Sequence, residues 1–102
     1  MALWDDVLEE LCADPQVSRG VFFGRQAAKL GRRVFAFERL DDIVVKLGPE
    51  RVDELVEAAQ ASVFQPPGHG PMRNWAVVPP ADSGDPVEAW ILLAEEAKDR
   101  LE

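Results

Sequence analysis

Eight basic residues fall between positions 19 and 51: Arg19, Arg25, Lys29, Arg32, Arg33, Arg39, Lys46 and Arg51. Cations on neighbouring strands and a shared turn can converge on one phosphate or carboxylate, which makes this cluster the best candidate for a functional surface. Arg25, Lys29, Arg32, Arg33 and Lys46, joined by Arg73 from a later strand, are therefore the candidate contacts for a nucleic acid or an acidic protein partner. The competing reading makes them solvated sheet edges, where Lys and Arg discourage edge-to-edge pairing. The net charge of −8 favours that second reading, because its long-range field repels a polyanion. The charge is nevertheless uneven: residues 1–18 carry −5, residues 19–51 carry +4 and residues 52–102 carry −7.

Other chemistry is thinly supplied. His69 is the single histidine and Cys12 the single cysteine, so neither an internal disulfide nor a His/Cys zinc site can be assembled. His69, set among Pro67, Gly68, Gly70 and Pro71, reads as an exposed loop residue, and Cys12 as a small side chain at the edge of an apolar stripe. Asp5 with Glu9, and Asp6 with Glu10, stand four apart and could hold a metal ion, but carboxylates at this spacing are what any solvated amphipathic helix shows. Gly20 and Gly24 are not followed by the Lys-Ser/Thr of a phosphate loop. Trp75 alternates in phase with Arg73, a pairing able to stack a base, although a tryptophan in so small a chain is usually core. No catalytic residue and no cofactor are assigned.

These residues need elements to hold them. Trp4, Val7, Leu8 and Leu11 recur at helical spacing, with acids on the other side, and Asp14-Pro15 ends that helix. Extended runs follow at Val21–Phe23, Arg25–Leu30, Arg33–Glu38 and Ile43–Leu47, with a turn at Gly31 and another at Leu40-Asp41-Asp42. Strict alternation predicts Phe35 and Phe37 on one face, and Ile43, Val45 and Leu47 on one face with Lys46 pointing away. Gly48-Pro49-Glu50 starts a second helix bearing Val52, Leu55, Val56 and Ala59. A short extended piece at Ser62–Gln65, a Pro/Gly loop and a last strand at Met72–Val78 come next. Asp85-Pro86-Val87-Glu88 has the cap, proline and acid of a helix start. In this final helix Leu92 and Leu93 widen the apolar stripe, which suggests a contact with another chain, such as a homodimer.

The length of 102 residues and the 47% apolar content predict one domain spanning residues 1–102. No apolar run approaches the roughly 20 residues needed to cross a bilayer. A cytoplasmic protein without a membrane partner is the expectation.

Several stretches together resemble the TfoX/Sxy N-terminal domain family. They are Gly20-Val-Phe-Phe-Gly24 through Gly31 to Phe37, Asp42-Ile-Val-Val-Lys46, Gly68-His-Gly-Pro-Met72 through Trp75 to Pro79, and the Trp90 helix. Their order is similar to that of the MmcQ/YjbR group. Phe22 stands where the family usually has methionine, and His69 or an insertion replaces the arginine of its Gly-Arg-Pro-Met loop. The resemblance implies an α+β domain with an antiparallel sheet of four to five strands flanked by three helices. It also implies a regulatory or DNA-binding role, the MmcQ/YjbR proteins being described as double-wing modules. The expectation is thus a non-enzymatic binding or regulatory domain acting through protein contacts. The alternatives are a nucleic-acid-binding module using the hairpins of residues 19–51, and a metal-binding protein using the first helix through Asp6 and Glu10.

Overall fold

The computed structural model describes residues 3–82 and 84–101. Along the chain these form α1 (Leu3–Leu11), β1 (Val17–Phe22), β2 (Arg25–Leu30), β3 (Arg33–Arg39), β4 (Asp42–Lys46), α2 (Pro49–Glu57), β5 (Ser62–Phe64), β6 (Met72–Val78) and α3 (Pro86–Asp99). All neighbouring strands run antiparallel, in the order β1-β2-β3-β4-β6-β5. The α+β architecture is the expected one, with six strands instead of four or five. Ser62–Phe64 pairs with β6, and β1 begins at Val17, ahead of the apolar run that marked it in the sequence.

Local chemistry explains the element ends. The Asp85 carboxylate accepts hydrogen bonds from the backbone N–H groups of Val87 and Glu88 and so caps α3, with Pro86 in the first turn. Pro49 opens α2 after Gly48, whose φ of 84° is open to glycine at little cost. The chain between β4 and α2 is pinned because the Asn74 carbonyl accepts from both Leu47 N and Gly48 N, at 2.9 and 3.1 Å.

The helices lie on one side of the sheet. Trp4, Val7, Leu8 and Leu11 of α1, Val52 and Leu55 of α2, and Trp90, Ala94 and Ala97 of α3 share one core with Ala28, Phe35, Ile43, Val45, Ala76 and Val78. A second cluster, Ala27, Phe37, Val44, Phe64, Trp75 and Val77, contains no helical residue and so occupies the opposite, open face. Ile43, Val45 and Leu47 fall on the helix side as the alternation predicts. Of the two leucines on α3, Leu93 packs against the core and Leu92 stands in solvent.

Phe35 and Phe37 depart from that expectation, since they point to opposite faces. Ala28 pairs with Ala36 while Lys29 pairs with Val34, so β3 carries one extra residue at Phe35, a β-bulge. The bulge puts Phe35 and Ala36 consecutively on the helix side and returns Phe37 to the open face. Simple period-two counting assumes no inserted residue and therefore fails here.

An ion cluster ties α1 to α3. Lys98 Nζ lies 2.8 Å from Glu95 Oε2 and 3.0 Å from Asp14 Oδ2, and the lysine is nearly buried. Hydrogen bonds to Glu95 and then Asp14 hold its ammonium above the usual lysine range. A backbone hydrogen bond from Gln16, then the Lys98 ammonium, hold the Asp14 carboxyl below its ordinary 3.8. A carboxyl depressed in the folded state contributes stability above its unfolded value that is lost as pH falls through the folded one. Asp14→Asn is therefore expected to lower the thermal midpoint at pH 7, and the gap to the parent protein should close on acidification below 3.8. Equal gaps at pH 7 and at the acid end, measured by circular dichroism melts, would rule out the charge as the cause.

Candidate ligand-binding face

Strand pairing decides which cations meet. Directly opposed residues share a face, so Phe22 with Arg25, Ser18 with Lys29, Arg39 with Asp42, and Lys46 with Trp75 all belong to the open face. Of the six candidate contacts read from the sequence, Arg25, Lys29 and Lys46 are brought to this face. Arg33 is not: it pairs with Leu30 on the helix side, and its guanidinium donates to the Leu101 carbonyl at 3.4 Å. Arg32 sits in the β2–β3 turn, and Arg73 is exposed near the start of β6. Arg39, part of the basic run but not among those six, joins the open face instead. Arg51 is spent elsewhere, 3.0 Å from Glu96 on α3.

The cations surround aromatic rings. Phe37 contacts Phe22, Phe64 and Trp75 at centroid separations of 5.2, 5.3 and 5.4 Å, edge to face in each case. Phe22 stacks on Trp75 at 5.3 Å. Arg39 lies 5.8 Å over the Phe64 ring and Lys46 lies 5.9 Å over the Trp75 ring, within cation–π range. Lys29 runs along β1: a Cβ added at Gly20 would stand 2.6 Å from its Cδ, so that glycine makes room for the lysine stem. Asp42 is the acid on this face, and among the described residues no ion pair engages Arg25, Lys29, Arg39 or Lys46.

One end of the face is hollow. A cavity of about 330 Å³ is walled by Phe23, Phe37, Leu40, Phe64, Pro66, Pro67 and His69, with Arg25 and Arg39 at its side. His69 reaches this wall through a type II-like turn: its N–H donates to the Pro66 carbonyl at 3.1 Å, across Pro67 and a Gly68 of φ 78°. Its ring meets Phe23 edge-on at 6.3 Å. The loop histidine is exposed, as its setting predicts.

Two rim residues carry strained backbone. Phe23 and Gly24 link β1 to β2 with φ of 52° and 72°, the form of a type I′ turn, where Asn or Gly is usual in the first place. Leu40, at φ 55°, fills the place in the β3–β4 turn that Gly31, at φ 64°, fills in the β2–β3 turn. A side chain in this left-handed region costs about 1–2 kcal/mol. Both residues leave much of their apolar surface in water, Phe23 being 48% and Leu40 72% exposed. The sequence pattern gives neither residue a site role: it ends an extended run on Phe23, which the structure instead puts in the turn, and sets Leu40 in a turn. A large apolar residue in a tight hairpin turn is itself the signal.

Comparison with known protein families, characterised proteins and solved structures returns no match for this chain. Among the described residues no three His, Cys, Asp or Glu side chains are grouped so as to hold a metal ion, the α1 carboxylates included.

The strain at Leu40 has a measurable consequence. Glycine there removes the left-handed cost of about 1–2 kcal/mol and adds a backbone entropy cost of roughly 0.5–1 kcal/mol. Leu40→Gly is therefore expected to unfold in urea at the same or a higher free energy, by up to about 1.5 kcal/mol. Gly31→Leu, the mirror substitution, is expected to lose about that much. A loss of more than about 1 kcal/mol in Leu40→Gly would show that Leu40 is structural.

Proposed function

We propose that this protein is a non-enzymatic binding module whose recognition surface is the open sheet face, and that its partner is a protein segment carrying acidic and apolar side chains. The observation that supports this most is the placement of Arg25, Lys29, Arg39 and Lys46 on that one face beside Asp42, with no ion pair to any of the four among the described residues. Cations left unpaired beside apolar rings suit a ligand that brings both carboxylates and apolar groups. The resemblance to TfoX N-terminal domains points the same way, toward a regulatory role without chemistry.

Nucleic acid is the second reading, and the mixture of cations and aromatic rings on a sheet face favours it. Stacking a base needs an exposed ring face, however. Phe37, Phe64 and Trp75 are 1, 3 and 5% exposed, so they are already occupied with one another. The acidic helix layer adds an opposing field. Twelve of the nineteen acids lie in α1, α2 and α3, with only Arg51 and Lys98 among the helical bases.

A labelled peptide of alternating Glu and Leu, titrated by fluorescence anisotropy at low salt, tests the choice. Binding that weakens by about tenfold or more in Lys29→Glu/Lys46→Glu, and is unchanged in Arg19→Glu/Arg32→Glu, is the expected result. Failure of the peptide to bind, together with steeply salt-dependent binding of an oligo-dT strand, would transfer the surface to nucleic acid.

A further inference from the structure

Resting on the open face as the recognition surface, we infer that the cavity between the β1–β2 turn, the β3–β4 turn and the Pro66–Pro71 loop binds a small carboxylic acid with an aromatic or compact apolar body. Its 330 Å³ lies at the lower end of small-ligand cavities, which run from about 300 to 1,000 Å³. That suits a single ring with a short side chain. The exposed part of the Phe23 ring, Leu40 and Pro67 form the accessible walls over a floor of buried Phe37 and Phe64, and among the described residues no acid lines the cavity.

The anion requirement comes from the register. Ala27 opposes Phe37 at the last paired position of β2 and β3, and Arg25 and Arg39 stand two residues beyond it on the two strands, both lining the cavity. Among the described residues neither arginine makes an ion pair, so both cations reach the cavity without a salt-bridge partner. Asp42 opposes Arg39 from the other side but does not line the cavity. A carboxylate in a cavity lined by two arginines gains two cations and matches the planar fork of donors that each guanidinium presents.

A second, independent feature marks the same place. Phe23 and Leu40 hold disfavoured backbone conformations, each immediately beside the strand that carries one of the two arginines, and both project into the rim. Stability alone favours Asn or Gly at these turns, whereas an apolar rim around a ligand requires the large side chains. Strain retained at exposed residues that converge on one cavity is the pattern of a binding site.

The experiment titrates the full chain with 3-phenylpropionate and, separately, with its neutral amide, followed by calorimetry and by amide chemical shifts. The acid is expected to saturate with a Kd of about 1 mM or tighter, and the amide to bind at least tenfold more weakly. Arg25→Gln and Arg39→Gln should each weaken the acid by about tenfold, while Arg19→Gln on the helix side of β1 leaves it unchanged. Leu40→Gly should also weaken it although it folds as stably as the parent. Equal affinity for acid and amide, shifts confined to the helix side, or no saturation by about 10 mM in folded protein would each overturn the inference. The acidic-peptide titration reads Lys29 and Lys46 instead. Peptide binding without acid binding therefore removes only the cavity, and acid binding without peptide binding removes only the extended partner surface.

Discussion

The one-residue bulge in β3 is the constraint on which both faces of the sheet depend. Before it, Val34 shares the open face with Lys29; after it, Phe37 shares that face with Ala27. Without the extra residue, a strand that buried Phe35 beneath the helices would also turn Phe37 and Arg39 toward the helices, and the open face would lose its central ring and one of its cations. A slip of one residue exchanges the faces of every later side chain, so inserting a residue and resuming the alternation is the way to bury two phenylalanines on opposite sides. Phe37 at the centre of the aromatic cluster, Arg39 over the Phe64 ring and the cavity all lie beyond that point in the strand.

The same division organises the charge. Helices cover one face of the sheet and carry most of the acids; the other face carries four cations, Arg25, Lys29, Arg39 and Lys46, against Asp42. The net charge of −8 thus describes mainly the helix layer. At physiological salt, exposed charges farther apart than about 8 Å are largely screened, so a ligand on the open face is governed by the cations beside it more than by acids across the sheet. A long polyanion extending over the molecule's edge meets both fields, which is why a short or compact anionic partner fits the distribution better.

Much of the architecture was legible in residue patterns. The α1 stripe, the Asp85 cap, the hairpin glycine Gly31 and the outward phase of Lys46 follow from periods and turn chemistry that act within a few residues. Of the expected α2 stripe only Val52 and Leu55 are buried, Val56 being exposed and Ala59 lying past the helix end at φ 59°. What was not legible depended on pairing between distant segments. Whether Arg25 and Lys29 meet Lys46, and whether Arg33 turns instead to the end of α3, is fixed by strand order and by the bulge, neither of which leaves a local signature. The extended piece at Ser62–Gln65 becomes β5 over Ser62–Phe64, but its place at the sheet edge beside β6 and its interrupted pairing, Val63 opposing Ala76 while Phe64 opposes Met72, are long-range features. The cavity was hidden for a related reason: its wall comes from β2, β3, β5, two turns and a proline loop, none of which looks chemical alone.

Strain in the turns and order in the aromatic cluster support each other. A left-handed Phe23 at about 1–2 kcal/mol is affordable only if the ring gains contacts, and it finds Phe22 at 4.7 Å, Phe64 at 5.7 Å and His69 at 6.3 Å. Phe22 and Phe64 are held in turn by Phe37, whose near-complete burial makes truncation of such a ring worth about 3–5 kcal/mol. The rigid centre therefore exceeds the turn strain of about 1–2 kcal/mol and fixes the rim from beneath. Leu40 lacks comparable cover, being largely exposed, and its strain is offset by no burial of its own. Of the two rim residues it is the one whose side chain the fold does not need, and its presence is best explained by what the cavity holds.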